Sequence, residues 1–447
     1  MELEQLLPLL MFPTLFIFLL SGFPVAFVLA GVSLLFAVIG SSLDLFFWED
    51  LGFIPSRVFG IVSNLTLVAV PLFVLMGMVL EKSGVASELL ETISDVFRRY
   101  RSSLSFAVVL VGALLAASTG IVGATVVTMG VLSLPTMLQQ GYDKRLACGT
   151  IAAAGTLGQI IPPSIVLILL GDMMNVDVGD LFAGAMIPGL LLVGVYLLYL
   201  AFRSYLDRSK VDTDNDAQAQ RQHETVTATR LLKTLLPSGL LVILVLGSIL
   251  GGLASPTEAS GCGALGALII ALLKGRLNFK VLSEIGEKTA RTTAMVFWLL
   301  LGAQFFGVVF RGLGGDDVII DSIAAWNLSP YQVLIVFMFL LFVLGFFLDF
   351  LEICFIVIPI ILPVMIELEF NLLWVAILVA INLQTSFLTP PFGFALFYLK
   401  GVAPAEVKTL DIYRGAIPYV GLQIFVLAVL IMFPDIVLWL PRVLFQS

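Results

Sequence analysis

"TLGQIIPPSIVLILLG", residues 156–171, is apolar enough to sit in a bilayer, yet it holds two consecutive prolines. Proline brings no amide proton, and its ring clashes with the carbonyl one helical turn earlier. The residue before a proline is also pushed out of the helical region. Pro162 and Pro163 therefore predict a spanning helix broken at mid-length. A second stretch, "TSFLTPPFGFALFYLKG" at 385–401, repeats the device at Pro390 and Pro391.

Hydrophobic residues make up 60% of the 447 and charged residues only 12%, against roughly 25% charged in ordinary soluble domains. Apolar runs near the ~20 residues that cross the hydrocarbon recur along the whole chain. The fold class is an all-α polytopic membrane protein. Spans are predicted at about 5–21, 23–47, 58–80, 148–171, 183–202, 236–254, 259–273, 292–310, 373–399 and 415–440. Two more apolar stretches, about 104–138 and 331–366, are too long for one span and carry breakers in the middle. They read as re-entrant helical hairpins, which lipid tolerates only where protein or a water-filled cavity covers the turn. The N-terminus has two glutamates and no basic region, so it reads as leading into the first span, not as a cleaved signal. Cys148, Cys262 and Cys354 are odd in number and scattered, and read as packing residues.

Charge sets the orientation. With both termini outside, every basic residue except Arg57, Arg311 and Arg442 falls on the inner side, as the positive-inside rule asks. Residues 203–235 form a polar cytoplasmic linker between an N-terminal unit (1–202) and a C-terminal unit (236–447). The single histidine, His223, reads as a solvated loop residue of that linker. The net charge of −8 sits in loops and identifies no partner. No nucleic-acid partner is expected.

Each unit holds five crossings, one of them broken, and one hairpin. An odd number of crossings turns the second unit upside down, as in inverted-repeat transporters. The spacing supports a duplication: Pro135 to Pro162 is 27 positions, and so is Pro363 to Pro390. Downstream, "LFAGAMIPG" (181–189) is echoed by "IYRGAIPYV" (412–420).

In an α-helix the carbonyl of residue i accepts from the amide of i+4. The first proline pair therefore orphans the carbonyls of Gly158 and Gln159, and the second those of Ser386 and Phe387. Such groups cost several kcal/mol each at mid-membrane unless something polar replaces the amides. A dehydrated cation such as sodium does so, with the hydroxyls of Thr156, Ser164, Thr385 and Thr389 near enough to complete its shell. Each break also leaves a half-helix N-terminus that suits an anion. Ser164 and Thr156 are accordingly assigned to the substrate as well, together with Gly120. The kinked structural helix is the competing reading.

The hairpins supply the opposite wall. The first turns at "AASTGIVGATVVT" (116–128), where Ser118, Thr119, Gly120 and Gly123 allow a tight reversal. The second turns at "LGFFLDFLEICF" (344–355), bringing Asp349 and Glu352 to membrane depth. A carboxylate there costs ~2.5 kcal/mol or more unless paired. Asp349 is the stronger candidate for a cation ligand; Glu352 shares its face or caps a polar pocket.

At these residues the chain resembles the large membrane subunit of the tripartite ATP-independent periplasmic (TRAP) transporters. The likeness is strongest in 133–172, 347–364 and 389–402, through Gly-Tyr after the first hairpin, Ile-Pro-Pro-Ser and Thr-Pro-Pro-x-Gly. The chain departs in its long linker and in the Ala-Ser-Thr-Gly form of the first tip. The resemblance implies sodium-driven import of a small organic acid by an elevator movement across the bacterial inner membrane, with periplasmic termini. It also implies a small four-helix membrane subunit and a periplasmic solute-binding protein as partners, and no cofactor beyond sodium. Its sodium sites would fall on Ser118, Thr119, Gly158 and Pro162 in one half, and on Asp349, Thr389, Pro390 and Gly393 in the other. A stand-alone carrier of the same architecture is the alternative.

Enzyme readings fare badly. One histidine outside the membrane excludes a His-Glu-x-x-His zinc site, and no Gly-x-x-x-x-Gly-Lys phosphate loop appears. No arginine inside a predicted span marks a carboxylate clamp, so the substrate stays unnamed.

Overall fold

Both proline pairs break a helix where the sequence says they should. In the computed structural model, which describes residues 3–97, 102–119, 122–207 and 228–445, all regular structure is helical. The first break separates α8 (Lys144–Thr156) from α9 (Ile165–Met174), with one 3₁₀ turn at Leu157–Gln159 between them. The second separates α17 (Leu372–Leu388) from α18 (Phe394–Val402).

The other helices of the first half are α1 (Leu3–Leu20), α2 (Val25–Ser42), α3 (Ile54–Ser63), α4 (Ala69–Lys82), α5 (Val85–Val96), α6 (Ser103–Thr119), α7 (Val122–Gln139) and α10 (Val178–Asp207). The second half adds α11 (Ala228–Leu250), α12 (Pro256–Leu273), α13 (Phe279–Gly312), α14 (Gly315–Ala325), α15 (Pro330–Leu344), α16 (Phe350–Glu367), α19 (Thr409–Met432) and α20 (Asp435–Phe445). Among the described residues seven helices are long and apolar enough to cross a membrane, and a bent pair makes an eighth.

Several predicted limits shift, each for a local reason. The span at 58–80 is that bent pair: Trp48–Ser63 meets Thr66–Lys82 at 55°, because Asn64 is extended (ψ 108°) and ends α3. The span at 292–310 is the apolar part of the much longer α13, whose first turns carry Lys280, Glu284, Lys288 and Arg291. Pro434 splits 415–440 into α19 and α20. Helices α10 and α11 reach into the predicted linker at 203–235, so the part between them is 208–227, which lies outside the described residues.

Two helices are unforeseen. Val85, Leu89, Leu90 and Ile93 give α5 one buried face, and both α5 and α14 begin after a left-handed glycine, Gly84 (φ 72°) and Gly314 (φ 74°). They occupy matching places, each just ahead of a hairpin. The hairpins combine α6 (103–119) with α7 (122–139), and α15 (330–344) with α16 (350–367).

The two halves interlock. Half-helix α18 packs on α7 of the first hairpin, and α9 packs on the second arm of the other hairpin, α16. Helices α8 and α19 meet backbone to backbone: a Cβ on Gly149 would sit 2.0 Å from the Gly415 carbonyl oxygen, and one on Gly415 2.1 Å from that of Arg145. Small residues allow such close approach in membrane helices. A second group of helices stands beside this one, with α4 on α12 and α13 on α2.

Candidate functional site

The first break is fully buried, with Thr156, Gln159 and Ser164 at 0% exposure. The amide of Ile161 donates to Leu157 at 3.0 Å, and residues 162 and 163 have no amide to give, so no backbone donor reaches the carbonyl of Gly158 among the described hydrogen bonds. Gln159 differs from expectation. Its carbonyl accepts the Ser164 hydroxyl at 2.8 Å, so one predicted orphan is relieved and Ser164 is occupied. Thr156 donates to Ala153 at 2.9 Å. Ser164 makes no side-chain cap on α9, which leaves the first-turn amides of that half-helix uncapped.

The second break follows the same logic with one change. The carbonyl of Ser386 accepts from the Thr389 amide at 3.0 Å, because Thr389 turns extended at the end of α17. That orphan is relieved too, while Phe387 faces two prolines at the positions that should donate. The hydroxyls of Thr385, Ser386 and Thr389 give their protons to Ile381, Leu383 and Thr385, each at 2.8 Å. Their oxygen lone pairs stay open to a cation. Gly393 caps α18 without a side chain, and a Cβ there would lie 2.5 Å from the Phe387 oxygen and 2.9 Å from that of Thr389. The Tyr413 hydroxyl donates to the Pro391 carbonyl at 2.9 Å, a brace the sequence did not suggest.

Hairpin arms flank each break. Gly112 on α6 lies against Ala154, and Gly155 against Val126 on α7, so the first hairpin straddles the end of α8. Ser118 and Thr119 close α6; their side chains, with Gly120, lie outside the described residues. On the other side Gly345, ending α15, lies on Ser386, and a Cβ would fall 2.1 Å from that hydroxyl oxygen. Gly345→Ala should therefore lower thermal stability by about 1–3 kcal/mol through overpacking, and adding Ser386→Ala should restore part of it. Equal melting of the single and double variants would contradict this contact.

Asp349 sits in the turn before α16 as its N-cap. Its carboxylate accepts from the Phe350 amide at 2.7 Å, and its own amide donates to Glu352 at 3.0 Å. Glu352 thus closes a capping box, and both charges complement the helix dipole. Directly after Glu352, α16 adopts a π turn at Ile353–Val357 ahead of Pro359. Such turns mark places where a helix is re-aimed. Here Phe355, Ile356 and Pro359 line a cavity of about 490 Å³.

Two arginines share that cavity. Arg57 on α3 and Arg311 on α13 line it, with Asp172 and Asn175 from the end of α9 and Asp316 from α14. The Asn64 side-chain amide donates to the Asp172 carboxylate. Thr156 and Ser164 are fully buried and do not line it. A second crevice of about 370 Å³ lies between α5 and the first hairpin, lined by Glu91, Asp95, Ser133 and Thr136 among others. Both openings border a hairpin: the cavity reaches α16, and the crevice α6 and α7.

A family model described as "Tripartite ATP-independent periplasmic transporter, DctM component" matches residues 12–436. The chain belongs to this family. It is similar to the C4-dicarboxylate TRAP transporter large permease protein DctM of Vibrio cholerae, 28% identical over 95% of each chain. It is equally similar to the sialic acid TRAP transporter large permease protein SiaM of that species, 28% identical over 95% of this chain and 96% of the other. The ectoine TRAP transporter large permease protein TeaC of Halomonas elongata is 27% identical over 98% and 99%. In fold, the chain is similar to the crystal structure of the Alcanivorax borkumensis YdaH transporter, with a TM-score of 0.60, 16% identity, and coverage of 85% of this chain and 86% of that one.

In this TRAP large permease, sequence reading does not bring Arg57 and Arg311 together; the packing of α3 and α13 does. Arg57 and Arg311 were visible only as exceptions to the positive-inside count. That exception was the available signal.

Proposed function

We propose that the chain imports a small organic acid across the bacterial inner membrane, driven by sodium bound at its two broken helices. The supporting observation is the pairing of each break with a hairpin: the carbonyls of Gly158 and Phe387 have no amide donor, and hydroxyl oxygens stand beside the second of them. Hard cations take oxygen ligands of this kind. The substrate enters the cavity lined by Arg57 and Arg311, two permanent cations facing a carboxylate. By the positive-inside assignment this cavity opens to the periplasm and the acidic crevice at Glu91 and Asp95 to the cytoplasm. The two openings then serve as entry and exit of an inverted-repeat elevator, with α6–α10 and α15–α20 moving against the remaining helices.

A small four-helix membrane subunit and a periplasmic solute-binding protein complete the complex. The relatives named for C4-dicarboxylates and sialic acid point to an anionic cargo. In proteoliposomes holding the chain with its small subunit, and binding protein outside, uptake should require inward sodium and ignore ATP. It should also vanish without the binding protein, which separates this reading from a stand-alone carrier. Undiminished uptake with sodium absent on both sides would overturn it.

A further inference from the structure

Four fully buried polar side chains form a line between the two breaks. The Gln423 amide on α19 donates to the Tyr196 hydroxyl on α10 at 2.7 Å and approaches the Thr156 hydroxyl on α8 at 3.5 Å. The Gln384 amide on α17 lies beside the same tyrosine hydroxyl, with neither its oxygen nor its nitrogen in a formed hydrogen bond. Tyr196 accepts from Gln423, and α17, which carries Gln384, packs against both α10 and α19. All four residues are 0% exposed.

The ends of this line are equivalent positions. Thr156 stands six residues before Pro162, and Gln384 six residues before Pro390. Each therefore lies in the last turn before its break, two or three residues from the carbonyl that lacks an amide. Buried amides left partly unmatched are costly, and apolar side chains of similar volume would pack without that penalty. Burial of this kind in a membrane span marks a residue kept for more than packing.

We propose that Gln423 and Tyr196 form a cross-brace that makes the two broken helices respond to cations together. A cation at Gly158 orders the turn that holds Thr156, which fixes Gln423, Tyr196 and then Gln384. The second break is then already ordered when its own cation arrives, so binding there loses less conformational freedom. The result is positive cooperativity between two cations on opposite sides of the repeat. This inference rests on the sodium reading above.

The test is a sodium titration of the purified full-length chain, read by thermal unfolding at constant ionic strength, for parent, Gln423→Met and Tyr196→Phe. The parent should titrate with a Hill coefficient approaching about 2, and both variants with one near 1. Tyr196→Phe keeps the ring whose edge-on contact with Tyr419 spans 5.1 Å between centroids, so it should fold even if Gln423→Met does not. A merely structural network predicts lower melting temperatures and an unchanged Hill coefficient, and that result overturns the cross-brace while leaving sodium coupling intact. A parent that ignores sodium overturns the coupling itself, and the brace with it.

Discussion

Replacing Pro162 and Pro163 together by alanine should abolish sodium-driven uptake without unfolding the protein. Alanine restores two amide donors, and proline in a helix interior costs ~3 kcal/mol relative to alanine. Helix α8 can then run on through the 3₁₀ turn and close hydrogen bonds to Gly158 and Gln159. Stability is expected to stay level or rise. Sodium loses the Gly158 carbonyl, and at about 1.5–3 kcal/mol for a contact to a charged group its affinity should fall roughly 10- to 150-fold. The same double change at Pro390 and Pro391 should act likewise through Phe387. A purely structural kink predicts the opposite pattern: poorer stability, with sodium affinity intact. Melting curves with and without sodium, alongside uptake, separate the two.

The second large effect is expected at the arginines. Arg57→Gln and Arg311→Gln each keep a polar side chain but remove a permanent charge from the cavity wall. Both residues are exposed to that space, so stability should change little. The KM for an anionic substrate should rise about 10- to 100-fold for each, the worth of one charge-assisted hydrogen bond. Sodium affinity of the purified chain should be unaffected, because neither residue lies at a break. A KM unchanged in both variants would move the substrate site elsewhere.

The contrast between these two predictions shows what the sequence could reveal. Proline chemistry is local, so Pro162, Pro163, Pro390 and Pro391 announce their breaks without any knowledge of the fold. The hairpin expectation likewise rests on length and turn residues alone. The fate of each freed carbonyl does not: Gln159 is met by Ser164 through a rotamer, and Ser386 by Thr389 through a backbone turn. Asp349 illustrates the same limit, since its capping geometry depends on where α16 begins. Helices α5 and α14 escaped because hydropathy averages over their acidic faces, Glu88 and Asp95 in one, Asp316, Asp317 and Asp321 in the other. Arg57 and Arg311 lie far apart in the chain, and only packing of α3 and α13 around one cavity joins them. Gln423 had a readable signal, a glutamine inside an apolar span, but its partners come from two other helices.

The central claim is that this permease holds sodium at its broken helices, and the most direct check uses the purified chain alone. Thermal unfolding is compared in sodium chloride and in choline chloride at equal ionic strength, across a range of sodium concentrations. Saturable stabilisation by sodium is expected, worth about 2.7 kcal/mol for each site at a hundredfold excess over its Kd. Both proline double variants should lose most of it. Identical unfolding in the two salts would contradict the account.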